Sequence, residues 1–254
     1  MYIDALYRYP VKGLSPQKLE FAELESNGYF PGDRLFALEN GPSDFDAEAP
    51  VHQPKIKFLM LMRNARLAAL ETRYDDASGI LTVAAQGKEV AQGDLGTESG
   101  RAAIEAFFDD FCANELRGAV RLLKAPQNFR FTDSKSGFVS LGNLASIRAI
   151  AGTIGRTVDP LRIRANIYLD GLEPWEEFAL VGEHLRAGNA RLEVLKRIDR
   201  CAATGVEPGS GRRDMDMVQA LRESLGHIDC GVYARVVQGG TLRPGDMVKI
   251  DARS

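Results

Sequence analysis

The residue whose type and setting most directly indicate chemistry is Cys201. It follows a strand-like stretch, residues 192–198, and precedes a turn-rich segment that contains a Gly-Ser-Gly sequence. Three cations lie shortly before it: Lys196, Arg197 and Arg200. Cationic neighbours stabilise the thiolate, the form of cysteine that binds metals and attacks electrophiles. The alternative is a buried, inert residue, because free cysteine is among the most buried residue types.

A second group of polar residues lies in LRIRANIYLDG, residues 161–171. We predict one strand here, with Ile163, Ala165, Ile167 and Leu169 facing inward. Alternate side chains share a face of a strand, so the opposite face would present Arg162, Arg164, Asn166 and Tyr168. Two guanidinium groups beside an amide could bind an anion, because arginine pairs with phosphate through two hydrogen bonds. An exposed polar face of an antiparallel sheet is an equal alternative.

Further cations occur near the N-terminus, in YPVKGL (residues 9–14) and GDRLFAL (residues 32–38). On composition alone, Lys12 and Arg34 are interpreted as solvated surface charges.

The elements that must position these residues are mostly strands. Short strands are expected across the first ninety residues, including Phe30–Leu38, Lys55–Thr72 and Ile80–Val90. Helices are predicted at Glu98–Cys112 and at Asp214–Leu225, with Asp214 as the cap of the latter. A further helix is predicted with Ser140 or Asn143 as its cap, Leu144, Ile147, Ala151 and Ile154 on its apolar face, and Gly155 as its terminator. Strands should end the chain, beginning at Cys230–Val237. We therefore predict a mostly β fold with helices (α+β) in three parts: a domain over 1–93, a connecting helix over 94–115 and a second domain over 116–254.

Composition excludes several classes of function. A net charge of −3 gives no electrostatic reason to expect nucleic acid or an anionic membrane as a partner. No signal-peptide pattern or membrane-length apolar run is present, and three widely spaced cysteines suit a reducing compartment, so a cytoplasmic protein is expected. Phosphate-loop, HExxH, GxSxG and CxxC motifs are absent, and three histidines are scattered along the chain. Because three cysteines cannot ligate an ordinary iron–sulfur cluster, we expect none in this chain.

The sequence RCAATGVEP, residues 200–208, resembles the cysteine motif of the MOSC domain family. That family includes molybdenum cofactor sulfurases and the mitochondrial amidoxime reducing component. YPVKGL and GDRLFAL resemble segments of the β-barrel domain that precedes MOSC in the amidoxime-reducing branch. RIRANIYLDG and the segment at residues 231–246 resemble later segments of the same proteins. The resemblance implies an N-terminal β-barrel-like domain followed by a MOSC β-barrel decorated with helices.

The resemblance also implies a molybdenum–molybdopterin cofactor between the two domains. Cys201 would be the molybdenum ligand and the catalytic residue. The residues expected to bind the cofactor are Lys12, Gly13, Arg34, Asp133, Ser134, Ser136, Arg164, Asn166, Asp199 and Thr204. Four positions depart from the pattern: Gly13 stands where relatives often have Ser, Ala165 replaces a Pro, Asp199 stands where a Ser can occur, and Gly205 replaces a Thr.

The first functional hypothesis is a molybdenum-dependent oxidoreductase that reduces N-hydroxylated or N-oxygenated small molecules. Its electrons would come from a partner chain or a small molecule, with a separate donor protein expected, because the sequence offers no iron–sulfur cluster and no dinucleotide-binding turn to supply them. The alternatives are a sulfur-transfer or cofactor-carrier protein that uses Cys201 as a persulfide site, and a protein whose site has degenerated. The sequence identifies neither the substrate, nor the electron donor, nor the oligomeric state.

Overall fold

The computed structural model describes residues 1–135 and 138–251. Its strands are β1 (Tyr2–Arg8), β2 (Gln17–Leu19), β3 (Ala22–Leu24), β4 (Phe36–Asn40), β5 (Leu70–Tyr74), β6 (Ile80–Ala85), β7 (Lys88–Asp94), β8 (Val120–Lys124), β9 (Val139–Asn143), β10 (Ile167–Asp170), β11 (His184–Ala187), β12 (Ala190–Asp199), β13 (Asp229–Gln238), β14 (Gly240–Leu242) and β15 (Val248–Ile250). Its α-helices are α1 (Glu98–Phe111), α2 (Leu144–Ile154) and α3 (Met217–Leu225). The mixed α+β class predicted from the sequence is confirmed.

The largest sheet has eight strands in the order β15-β11-β12-β13-β9-β10-β1-β2. Only β10 and β9 run parallel among its pairs. One face of β12 is buried at Leu192, Val194 and Ile198, and these alternate with more exposed residues as a half-buried strand requires. Strand β1 lies between β10 and β2, and β3 pairs with β14. β1 and β2 therefore complete the large sheet, whose other strands come from the C-terminal half, and β3 forms a separate two-stranded sheet with β14.

A second core is built from the N-terminal half, including Val11 and Leu14 from the segment between β1 and β2. β5, β6 and β7 form a meander, β4 pairs with β8, and α1 packs beside them. Ile104 and Phe108 of α1 are buried in this core. The helix begins where Thr97 Oγ1 accepts a hydrogen bond from the Gly100 amide, as an N-cap does. The predicted helix at this place is confirmed, while the three-part division of the chain stays a prediction.

The helix that follows β9 also obeys its local signals. Asn143 caps α2 by accepting a hydrogen bond from the Ala145 amide, and Gly155 ends it at a φ of +73°. Helix α3 begins later than predicted, because its cap is Asp216 rather than Asp214. The Asp214 carboxylate instead pairs with Arg162 at 2.8 Å.

The prediction of one strand over residues 161–171 is wrong in its first half. Asp159 caps a 3₁₀ turn over Pro160–Ile163, Arg164 takes a left-handed conformation, and the strand begins only at Ile167. A proline at the first position of a turn, preceded by an aspartate cap, favours helical backbone over strand. Alternation therefore fails here: Arg162, Ile163, Ala165 and Tyr168 are all buried.

Two other strand predictions were too long. Residues 55–69 hold two 3₁₀ turns, and the strand predicted over Lys55–Thr72 begins only at Leu70. The strand predicted within Phe30–Leu38, with residues 32–34 at its start, begins at Phe36. Separately, none of the helices in the described parts of the chain has the length and apolar character needed to cross a bilayer.

Candidate active site around Cys201

A cavity of about 480 Å³ opens where the turn after β12 meets residues 12–13, 33–34, 132–135 and 162–166. Ten of the eleven residues that the resemblance implied for the site line it. The eleventh, Ser136, lies outside the described residues. Eight lysine and arginine residues but only three aspartates line the wall in the part of the chain that the structure describes. The cavity is therefore positive, although the whole chain is negative.

Cys201 lies two residues after the end of β12 and begins a tight turn that holds its backbone in place. The Thr204 amide and Thr204 Oγ1 both donate to the Cys201 carbonyl, at 3.0 Å each. Thr204 is itself buried, while Cys201 is partly exposed in the cavity wall. Thr204 thus positions the cysteine through the backbone.

The three cations before Cys201 have different roles. Arg200 is buried and donates from Nε to the Cys230 carbonyl and from Nη1 to the Ile163 carbonyl, both at 2.7 Å. Lys196 also lines the cavity, with its ammonium 5.7 Å from the centre of the Tyr233 ring. Arg197 lies over the Phe178 ring at 4.3 Å, away from the cavity lining. Arg200 therefore fixes the backbone beside the cysteine.

Lys12 is a buried cation, 6% exposed, so its interpretation as a surface charge is wrong. Its ammonium pairs with Asp133 and donates to the Phe131 carbonyl at 2.9 Å. Burial lowers the pKa of Lys12, and Asp133 offsets only part of that effect. Burial alone would raise the pKa of the Asp133 carboxyl, but the Lys12 charge outweighs it and holds that pKa below its ordinary value. Since an ammonium has three protons, one remains for a ligand.

Tyr9 packs against two guanidinium groups. Its ring is fully buried, with the guanidinium carbon of Arg34 at 4.9 Å and that of Arg164 at 4.1 Å from the ring centre. Arg34 is also ion-paired with Asp33, and its Nη2 donates to the Arg164 carbonyl at 3.3 Å. Burial lowers the pKa of Arg34, but Asp33 outweighs burial and raises it overall. The surface interpretation of Arg34 is therefore also wrong.

Lys12 and Arg34 are each ion-paired with an aspartate, whereas no ion pair is found for Arg164 among the described residues. Burial lowers the pKa of its guanidinium to about 10. Its Nη2 is buried and has no hydrogen-bond partner among the described residues. A buried donor without a partner is rare and costly. This nitrogen, with the remaining Lys12 proton in the same cavity wall, suits a bound anion such as a phosphate.

Asn166 lines the cavity, but its amide is already engaged. Its Oδ1 accepts from the Ser140 amide at 3.1 Å and from Ser140 Oγ at 2.8 Å. Its Nδ2 donates to the Tyr7 carbonyl at 3.2 Å. Asn166 therefore joins β9 and β1 beside the site and is better placed to hold the wall than to bind a ligand.

Two of the departures from the family pattern have a steric explanation. Gly13 has a φ of +82°, and a Cβ there would lie 3.0 Å from the Leu59 carbonyl oxygen. At Gly205 a Cβ would lie only 2.5 Å from the Met215 carbonyl oxygen. Serine and threonine would therefore strain these backbone positions.

The remaining site residues are less constrained. Asp199 is exposed at the cavity edge. Ser134 lines the cavity, and its carbonyl accepts from Thr132 Oγ1 at 2.9 Å. Across the described ranges, no group of three or more His, Cys, Asp or Glu residues could hold a metal ion. Among the described residues that line the cavity, Cys201 is the one cysteine, so its thiol is the sulfur available to a metal there.

Sequence reasoning missed several residues in or behind the cavity wall. Asp33 lines the cavity, and Tyr9 is buried behind the wall against Arg34 and Arg164. Both lie inside the two N-terminal motifs, so those motifs could have indicated them. His52 lies in a proline-rich loop without any signal, yet its Nε2 is buried in the cavity wall and has no partner among the described residues.

Comparison with known proteins assigns both halves of the chain. A model of the MOSC domain matches residues 128–249, and a model of the MOSC N-terminal beta barrel domain matches residues 1–116. The molybdenum cofactor sulfurase of Caenorhabditis elegans is 24% identical over 249 residues, which cover 91% of this chain and 33% of that protein. The Caenorhabditis briggsae protein of the same name is 30% identical over 126 residues, which cover 46% of this chain and 17% of that protein. The chain thus spans at most about a third of these relatives.

Solved structures give a weaker likeness. The YUAD protein of Bacillus subtilis is aligned over 100% of this chain and 96% of its own, at 14% identity and a TM-score of 0.48. YiiM of Geobacillus stearothermophilus is aligned over 46% of this chain and 55% of its own, at 21% identity and a TM-score of 0.38. The assignment rests on the two domain matches, which together span nearly all of the sequence: this chain belongs to the MOSC family, in the group with an N-terminal MOSC beta barrel domain.

Proposed function

We propose that this protein binds a molybdenum–pterin cofactor in the cavity beside Cys201. The observation on which the proposal depends is that the Cys201 thiol lines the same cavity as Lys12, Arg34 and Arg164, and that Arg164 Nη2 is buried without a partner among the described residues. A soft thiolate suits molybdenum, and clustered cations suit the phosphate of a pterin. The two C. elegans and C. briggsae relatives are named for the same cofactor.

Each residue then has a chemical role. Cys201 ligates the metal, and the Thr204 hydrogen bonds keep the turn that presents its thiol. Lys12 and Arg164 donate to the phosphate, while Asp33 holds Arg34 against Tyr9. When bound, the cofactor supplies two-electron redox chemistry.

We further propose that the protein is an oxidoreductase for N-oxygenated small molecules. In the overall reaction, an N–OH group accepts two electrons and two protons and yields the amine and water. The electrons come from a separate donor protein, and the positive cavity wall favours uncharged or anionic substrates over cationic ones.

The experiment is to purify the protein from a host that makes the cofactor and to measure molybdenum and pterin per chain. We expect wild type and Cys112→Ala to retain both, because Cys112 is buried in the second core, away from the cavity lining. Cys201→Ser should lose molybdenum and the reduction of hydroxylamine by dithionite-reduced methyl viologen. A wild-type protein without molybdenum and pterin, or an active Cys201→Ser, would refute the proposal.

The names of the relatives favour one second candidate, a sulfur-transfer protein with a persulfide on Cys201. Intact mass spectrometry separates the two functions. A 32-dalton adduct on Cys201 in protein without bound molybdenum supports sulfur transfer, whereas molybdenum bound to an unmodified Cys201 supports the oxidoreductase.

A further inference from the structure

A second cavity of about 300 Å³ adjoins the first. The two share the wall formed by Gly13, Leu61, Arg162, Arg164 and Ala203. Ala203 is two residues after Cys201, so the shared wall lies next to the thiol in the chain. The second cavity, which we call the side cavity, therefore lies directly beside the cysteine site and shares a wall with it.

Apolar side chains from both halves of the chain line the side cavity. Leu14 and Leu70 come from the N-terminal half, and Val206 and Pro208 come from the turn that follows Cys201. Leu14, Leu70 and Val206 are almost fully buried. This wall contrasts with that of the first cavity, where lysine and arginine predominate.

The polar side chains in the wall of the side cavity are largely engaged with one another or with backbone. Ser15 Oγ donates to the Leu70 carbonyl at 2.8 Å, and Thr72 Oγ1 accepts from the Ser15 amide at 3.2 Å. Arg162 pairs with Asp214. Two charged residues of the wall are exceptions: Arg164, whose Nη2 has no partner among the described residues, lies in the wall shared with the first cavity, and Glu71 is exposed. The part of the side cavity lined by Leu14, Leu70, Val206 and Pro208 therefore offers little to a charged or strongly polar group, which would lose its hydration there without gaining partners.

The volume limits the size of the group. Engineered apolar cavities of about 150 Å³ accept benzene, so about 300 Å³ accommodates one or two rings. Small-molecule sites commonly combine an apolar region that holds the body of the ligand with a few polar groups at the reacting end.

We infer that the side cavity binds the uncharged, apolar substituent of the substrate, an aromatic ring or a branched alkyl group, while the N-oxygenated end lies beside Cys201. This inference rests on the proposed function for its reacting end. It predicts that the protein prefers N-aryl hydroxylamines to hydroxylamine itself.

The first test measures binding without turnover, by titrating the purified protein with benzamide and with acetamide in an NMR experiment. We expect benzamide to bind at least about tenfold more tightly, since small apolar differences in such a pocket correspond to about 10- to 200-fold. Ala68→Leu places three more carbons in the side cavity and should weaken benzamide binding about tenfold or more. The matched control, Ala103→Leu on the exposed face of α1, should bind benzamide as wild type does.

Equal affinity of wild type for benzamide and acetamide would overturn the inference, and so would unchanged benzamide binding by a folded Ala68→Leu. If Ala68→Leu does not fold, the comparison of benzamide and acetamide binding by wild type still tests the inference.

The second test separates this inference from the proposed function. In molybdenum-loaded protein with dithionite-reduced methyl viologen, Ala68→Leu should raise KM for N-phenylhydroxylamine about tenfold or more and leave that for hydroxylamine unchanged. A loaded, active wild type with equal KM values for the two substrates would overturn the side-cavity inference and leave the proposed function intact. A protein that binds benzamide selectively but holds no molybdenum would refute the proposed function and support the side cavity as a binding site.

Discussion

Replacing Arg200 by methionine tests whether this residue holds the backbone around the cysteine. Its guanidinium is nearly buried and donates to two carbonyl oxygens, those of Ile163 and Cys230, both on buried residues. Methionine keeps much of the apolar contact but donates no hydrogen bond. Each buried carbonyl left without this donor costs about 1–3 kcal/mol, so the two together predict a loss of about 2–6 kcal/mol in the free energy of unfolding.

The assay is urea unfolding followed by circular dichroism, together with calorimetry. For a chain of this size, 1 kcal/mol corresponds to about 2–4 °C in Tm, so Arg200→Met should melt about 5–20 °C below wild type. The control is Arg235→Met, which removes an exposed ion pair with Glu193 and should cost no more than about 1 kcal/mol. If both variants melt at the same temperature, then the Arg200 contacts do not stabilise the fold and the reasoning is wrong.

Two further predictions concern the cavity wall. Gly13→Ala should lower the urea midpoint more than Gly87→Ala, because both glycines have positive φ but only the Cβ at Gly13 meets a backbone oxygen within 4 Å; equal losses would contradict the steric argument. Asp133→Asn should change the dependence of stability on pH. The pKa of Asp133 is lowered in the folded state, so its carboxylate contributes stability that is fully present above the unfolded pKa of about 3.9 and is lost as the pH falls. Above about pH 5, wild type should therefore have a higher urea midpoint than Asp133→Asn. Below about pH 4, the difference between the two midpoints should shrink. A difference that does not change with pH would refute the coupling to Lys12.

The sequence predicted helix ends and strands well where the structure depends on residues close together in the chain. Asn143 and Gly155 bound α2 as expected, because a cap and a left-handed terminator act within one turn. Alternation located β12 for the same reason, since burial of one face repeats every two residues. The 161–171 prediction failed because Asp159 and Pro160 start a turn that outweighs alternation.

The site was predictable through resemblance more than through residue chemistry. From composition alone, Lys12 and Arg34 are predicted to be surface residues, because composition does not identify which acidic residue would pair with a buried cation. Their partners, Asp133 and Asp33, neutralise them only in the folded chain, and Asp133 is 121 residues from Lys12. His52 could not be found from the sequence, because only the fold brings its loop to the cavity.

The position of β1 has a consequence for how this protein can be divided. The boundary between its two family matches falls near residue 120, yet the strand at residues 2–8 is an interior member of the large sheet. A fragment that starts after residue 116 would expose the edge of β10 as an unpaired, aggregation-prone border and would deprive β14 of its neighbour. Exchanging either half with another protein therefore requires β1, β2 and β3 to accompany the C-terminal half, although Val11 and Leu14, between β1 and β2, pack in the second core.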